Sequence, residues 1–168
     1  PPRHTAGSAP VAALAARHGV RYWKSEAGAQ VASLTWRGAD GEQREVLLAK
    51  PMSYMNTSGG PLSKLARAHR VAPQQILVVH DEVDLAAGEV RLKLGGGLNA
   101  HNGLRSIADK LGSRDFARVQ FGIGRPPGKM QVADYVLREL KGGFLDEFNI
   151  TAERAADLVE RVLTEGAK

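Results

Sequence analysis

Cysteine is missing from all 168 residues of the chain, which excludes disulfide frameworks and every zinc site built on thiolates. The absence fits a reducing compartment, the cytoplasm or an organelle matrix. Long apolar runs are missing as well: no stretch approaches the ~20 residues a membrane-spanning helix needs, and no basic-then-apolar leader opens the chain. A soluble protein is expected. Several catalytic signatures are also lacking. The five histidines include no H-E-x-x-H pair, so a zinc hydrolase site of that type has nothing to rest on. No G-x-S-x-G elbow is present for a serine nucleophile. There is no internal repeat and no low-complexity linker.

What is present suits one domain, read as spanning residues 1–168. Hydrophobic residues make up 43% of the chain, and a chain of this length buries roughly 70% of its unfolded surface. Lys and Arg outnumber Asp and Glu by 23 to 18, a formal charge of +5 with a pI near 9.7. Such a balance favours polyanionic partners through phosphate neutralisation and counterion release. The chain opens on "PPRH", without an initiator methionine and within a few residues of a helical pattern. We therefore read the domain as incomplete at its N-terminus.

Periodicity predicts an α/β order. Val11, Ala12, Leu14 and Ala15 recur at helical spacing between Pro10 and His18, and Gly19 is placed to stop that helix. The β-rich stretches 29–36 and 44–51 flank "RGADGEQ", a turn sequence, and predict a hairpin. A helix starting close to Asn56 or Ser58 puts Leu62, Leu65 and Ala66 on one face and Lys64, Arg67 and Arg70 off it. "QILVVH" (75–80) is a continuous apolar run, as in a strand covered on both faces of a mostly parallel sheet. Strands at 89–94 and 117–124 and helices at 103–111 and 146–164 complete the alternation. The expected fold is an α/β three-layer sandwich around a mixed, mostly parallel sheet.

Chemistry in open α/β sheets gathers past the carboxyl ends of strands, and "VVHDEVD" ends such a strand. Asp81 is the first carboxylate beyond the apolar run, so it needs a hydrogen-bond donor. It either meets a histidine or caps a turn, with His80 packed in the core. "KLGGGLNAHNGL" (93–104) is a glycine-rich turn into a helix, where main-chain N–H groups meet anions, yet it matches neither phosphate-loop pattern. Asn102 either caps that helix or supplies a site amide, and Asn56 presents the same choice one helix earlier.

In order and spacing, "RHTAG", "KPMSYMNTSG", "VVHDEVDLAAGEVRLKLGGG", "AHNGLRSI" and "FGIGRPPG" resemble the bacterial-type peptidyl-tRNA hydrolases. The resemblance runs from Arg3 to about Leu137. It implies hydrolysis of the ester between peptide and tRNA, with His4 as the base that activates a water and Asp81 as the carboxylate that orients it. It implies further that Asn56, Asn102, Met55 and His101 line the site and that Lys93 grips the tRNA 5′-phosphate. Residues of "ADYVLREL" would belong to a lid over the peptide channel. The implied substrate is peptidyl-tRNA, with no metal or organic cofactor, no membrane partner and a monomeric state. The basic balance fits, since phosphate contacts position an RNA without choosing its sequence. Arg105, Arg118 and Arg125 either add to that field or are ordinary solvated charges.

Four departures from the family pattern bear on activity. The family's first apolar strand and its "N-P-G" loop would lie ahead of Pro1. Thr5 stands where an asparagine is usual, and Leu98, Asn99 and Ala100 stand in a stretch that is commonly glycine-rich. Gln120 takes the place of an arginine that partners the lysine on the 5′-phosphate. Such an exchange removes a charge-assisted contact of about 1.5–3 kcal/mol. The rival expectation is accordingly an RNA- or ribosome-binding homologue with weakened or no catalysis.

Overall fold

The structure is a computed structural model and describes residues 8–51, 59–82, 84–95, 102–122 and 145–166. Helix α1 (Ser8–Arg17) leads to strands β1 (Lys24–Glu26), β2 (Ala29–Arg37) and β3 (Gln43–Pro51). Helix α2 (Gly59–Ala68) and a 3-10 turn at Pro73–Gln75 precede β4 (Leu77–Asp81) and β5 (Val90–Leu94). Helix α3 (Asn102–Leu111), β6 (Ala117–Phe121) and helix α4 (Leu145–Glu165) follow.

The strands form two three-stranded groups, β1-β2-β3 and β4-β6-β5. The first is an antiparallel meander whose β2–β3 ladder runs from Ala29 opposite Pro51 to Arg37 opposite Gln43. Its first turn is Ala27-Gly28, both at positive φ (53° and 82°), as a two-residue hairpin of matching twist requires. In the second group β4 runs parallel to β6, and β5 pairs with β6 antiparallel. The mixed α/β character is as expected, and β4–β6 is the one parallel ladder among the described residues.

Strand alternation explains the three layers. Val79 on β4, Leu92 on β5, and Val119 and Phe121 on β6 join Leu48 of β3 in a core closed by Leu14 and Ala15 of α1 and by Ala155, Ala156 and Val159 of α4. On the opposite side Ile76, Val78 and Phe116 pack with Ala66 of α2 and with Leu104, Ile107 and Ala108 of α3. Leu65 of α2 also covers Ala29 and Val31 of β2. Both strand groups therefore lie between an α1/α4 layer and an α2/α3 layer.

Boundaries agree with the expected elements except in three places, one of them the strand expected at 117–124, which ends at Phe121 with Gly122 outside it. The strand β1 went unpredicted because "KSE" has no apolar alternation and forms only as an edge to β2. The strand expected at 75–80 starts at Leu77. Pro73 opens a 3-10 turn in which the Ile76 N–H donates to the Pro73 carbonyl, and the Gln75 side chain accepts from the Ala72 N–H. That turn takes Gln75 out of the ladder.

Helix ends follow a single device with one variation. Helices α1, α3 and α4 are each closed by a glycine at positive φ, Gly19 (70°), Gly112 (71°) and Gly166 (86°). Helix α2 is closed by Arg70, at φ 55°. The Val71 N–H reaches the Ala66 carbonyl (2.8 Å) and the Arg70 N–H that of Arg67 (3.3 Å), the paired bonds of a Schellman ending that normally takes glycine.

Candidate active site

Asp81 is the last residue of β4 and lies opposite Phe121 in the parallel register. It is half-buried. The chain beyond it folds tightly over the end of β6. The Glu82 N–H donates to the Phe121 carbonyl (2.9 Å), the Gly122 N–H to that of Glu89 (2.9 Å), and the Gly88 N–H to that of Gly122 (3.2 Å). A Cβ on Gly122 would fall 2.0 Å from the Ala86 carbonyl oxygen, so only glycine allows the crossing. The turn is also held by Leu85, which is buried. These bonds fix the end of β4 as a rigid support for its carboxylate.

His80 resolves in favour of the core. It is fully buried, and its Nδ1 lies 2.9 Å from the main-chain oxygen of Asp81. A carbonyl oxygen only accepts, so Nδ1 carries the proton. His80 is therefore bonded to the backbone of Asp81. Alternation sends its ring to the α2/α3 side of the sheet, away from Val79 and Leu77.

Lys93 is half-buried on β5, opposite Arg118 of β6. Arg91 lies opposite Gln120 in the same ladder, and His80 opposite Gln120 on the other side. Lys93, Arg118, Gln120 and His80 thus share one face of the sheet. Arg118 is neither of the two things expected of it. It is fully buried, its guanidinium stacks over Phe116 at 4.8 Å, and Nη2 points to the Arg114 carbonyl at 3.4 Å. Burial, with the charge of Arg114 nearby, holds it below the ordinary guanidinium range. A guanidinium so enclosed cannot meet a phosphate at the surface. Gln120 is also buried, at 2% exposure. Arg105 is exposed on α3, which both readings of it require.

Glu82 was not singled out by its sequence, although "HDEVD" contains it. It is buried at 5% exposure, and its Oε1 accepts a long 3.4 Å bond from the Asp84 N–H. A second carboxylate thus lies next in sequence to Asp81, and no periodicity signal marks it as buried because it sits in a turn.

The starts of α2 and α3 meet. The Gly59 N–H donates to Ser106 Oγ at 3.0 Å, and a Cβ on Gly59 would fall 2.1 Å from the Ser106 carbonyl oxygen. Asn102 is the first residue of α3. His4, Met55, Asn56 and His101, together with Arg125 and the "ADYVLREL" stretch, lie outside the described residues. Among the described residues no group of three or more His, Asp or Glu side chains could hold a metal ion. No helix there is long and apolar enough to cross a membrane.

A carboxylate on a rigid strand end, a lysine on a neighbouring strand and two helix starts brought together are common to many α/β proteins. The family model for peptidyl-tRNA hydrolase matches residues 2–168. The chain belongs to the peptidyl-tRNA hydrolase family. Two named members of that family are close in sequence: the peptidyl-tRNA hydrolase of Frankia alni is 46% identical over 164 residues, covering 98% of this chain and 81% of that protein. That of Streptomyces coelicolor is 47% identical over 165 residues, covering 98% and 82%. Among solved structures, peptidyl-tRNA hydrolase from Acinetobacter baumannii superposes with a TM-score of 0.78 at 32% identity, covering 96% of this chain and 79% of the other. An arginine-to-glutamine mutant of an Acinetobacter baumannii peptidyl-tRNA hydrolase gives a TM-score of 0.80, also at 32% identity.

Proposed function

We propose that this chain, acting as one domain and as a monomer in the cytoplasm, hydrolyses the ester between a peptide and the 3′ ribose of its tRNA. The observation that carries the reading is the family match over residues 2–168, together with the presence of His4, Asp81, Asn56 and Asn102 in their motifs.

The chemistry suits those residues. A water oxygen attacks the ester carbonyl carbon while the His4 imidazole, with an unperturbed pKa of about 6.5, takes its proton. Asp81 accepts a hydrogen bond from the other ring nitrogen, which selects the tautomer and stabilises the imidazolium. The side-chain amides of Asn56 and Asn102 donate to the oxyanion as it develops. When the tetrahedral intermediate collapses, the ribose oxygen leaves and recovers the proton from His4. Met55 and His101 line the site, and Lys93 takes the 5′-phosphate.

Hydrolysis of an N-blocked aminoacyl-tRNA, measured beside His4→Ala, tests the reading. Turnover that His4→Ala abolishes supports it. Activity that survives the change would remove the assignment, and tRNA binding without turnover in the parent chain would favour the RNA-binding homologue suggested by Gln120.

A further inference from the structure

The two helical layers differ in charge and in how that charge is used. Residues 59–75 and 102–115, the α2/α3 layer, hold six Lys and Arg against two Asp. Lys64, Arg67, Arg70, Arg105, Lys110 and Arg114 are all exposed, and none of them forms an ion pair among the described residues. Where the last turns of α2 and α3 meet, a cleft of about 370 Å³ is lined by Arg67, Arg70, Lys110, Pro73 and Leu111. Arg70 is also the one residue among the four described helix ends that takes a left-handed conformation without being glycine. A side chain kept where the backbone favours its absence points to a use for that side chain.

We infer that this cleft is a second phosphate-binding site, which holds the sugar-phosphate backbone of the tRNA body through Arg67, Arg70 and Lys110. The inference rests on the proposed tRNA substrate. Lys110 is eight residues beyond Asn102, so at 1.5 Å per residue the cleft lies roughly 12 Å along α3 from the helix start assigned to the ester site. A substrate as large as tRNA extends well beyond the ester it presents and must cross one face of the enzyme. The α1/α4 layer offers six acids against three arginines over residues 8–17 and 145–165, and repels it. The α2/α3 layer attracts it. Lined by side chains at two helix ends, the cleft reads backbone charge and not bases.

The test compares the parent chain with the triple variant Arg67→Ala/Arg70→Gly/Lys110→Ala, and with Arg161→Ala on α4 as the control. Binding of deacylated tRNA is measured across a salt series, and kcat and KM are measured on an N-blocked aminoacyl-tRNA. The triple variant is expected to bind at least tenfold more weakly at low salt. Its slope of log K against log salt should flatten by about 2, since each lost phosphate contact removes ~0.7–0.9. KM should rise with kcat unchanged, and Arg161→Ala should behave as the parent. Arg70→Gly alone separates function from folding. It should raise Tm by about 2–4 °C, as expected for relieving a strained helix end in a chain of this size, while weakening tRNA binding about threefold. Unchanged affinity, slope and KM in the folded triple variant would overturn the site, as would an equal loss in Arg161→Ala. Because binding is read without turnover, a parent chain that binds but does not hydrolyse would refute the proposed reaction and leave this test standing.

Discussion

The α1/α4 layer spends its charge internally, whereas the α2/α3 layer keeps its charge for solvent. Arg17 at the end of α1 holds Glu153, Asp157 (2.8 Å) and Glu160 (3.1 Å) of α4, and His18 adds a contact to Glu160 at 3.2 Å. The Trp36 indole N–H donates to Thr164 Oγ1 (3.0 Å) and the Ala39 N–H to the Thr164 carbonyl (2.8 Å), tying the end of α4 to the β2–β3 hairpin. Among the described residues no ion pair links α2 to α3, which are joined by buried aliphatic contacts, by the Gly59 N–H to Ser106 Oγ bond and by the close glycine crossing beside it. The difference separates a layer built to lock the chain together from one left available to a polyanion. It predicts that the same kind of substitution will act on stability in one layer and on RNA affinity in the other.

The largest effect should come from the sheet between them. Asp81→Asn keeps the shape of the β4 end but removes the charge that would stabilise an imidazolium, and kcat should fall by roughly 10²–10⁴. Binding of deacylated tRNA should stay within about twofold. A parallel loss of tRNA affinity would show that Asp81 organises the RNA surface and is not confined to the chemistry.

Gly59→Ala should be the most damaging change at the α2/α3 contact. The added Cβ meets the main chain of Ser106 at 2.1 Å, and backbone cannot swing aside as a side-chain tip can. The helices must separate, at a cost of roughly 3 kcal/mol, which a urea midpoint would record. If stability holds, the close crossing is not what joins this layer.

Much of this contrast was legible in advance. The placing of Leu65 and Ala66 inward and of Lys64, Arg67 and Arg70 outward followed from 3.6-residue periodicity, because amphipathic helices write their orientation into local sequence. The hairpin was equally readable from the turn "RGADGEQ" between two β-rich runs. Arg118 and Gln120 were not. Both sit on a strand whose two faces are covered, and a strand buried on both sides carries no polar-out alternation to show which polar residues are interior. β1 escaped for the opposite reason, since its three residues are held only by pairing with β2. Of the proposed site, Asp81 and Lys93 were singled out through motif order, and geometry adds that they occupy different strands and, by alternation, opposite faces of the sheet. His80 had two readings, and the choice required a contact that no local pattern encodes, its bond to the Asp81 carbonyl.

The smallest of these effects tests the locked layer. Arg17→Met keeps the aliphatic stem and deletes the hub that three carboxylates share. The guanidinium is a quarter exposed and its partners more so, so solvent screens each pair and the loss should be only about 1–2 kcal/mol. Those carboxylates raise the Arg17 pKa above the ordinary guanidinium range, by hydrogen bonds first and despite the opposing effect of burial. A raised pKa contributes stability that is fully present below the unfolded value and disappears only in strong alkali. The Arg17→Met deficit should therefore be constant across neutral pH, shrink with added salt, and leave tRNA affinity unchanged. A deficit that salt does not reduce would mean that Arg17 acts through the packing of its stem, and a change in tRNA affinity would mean that the two layers do not divide their work as their charges suggest.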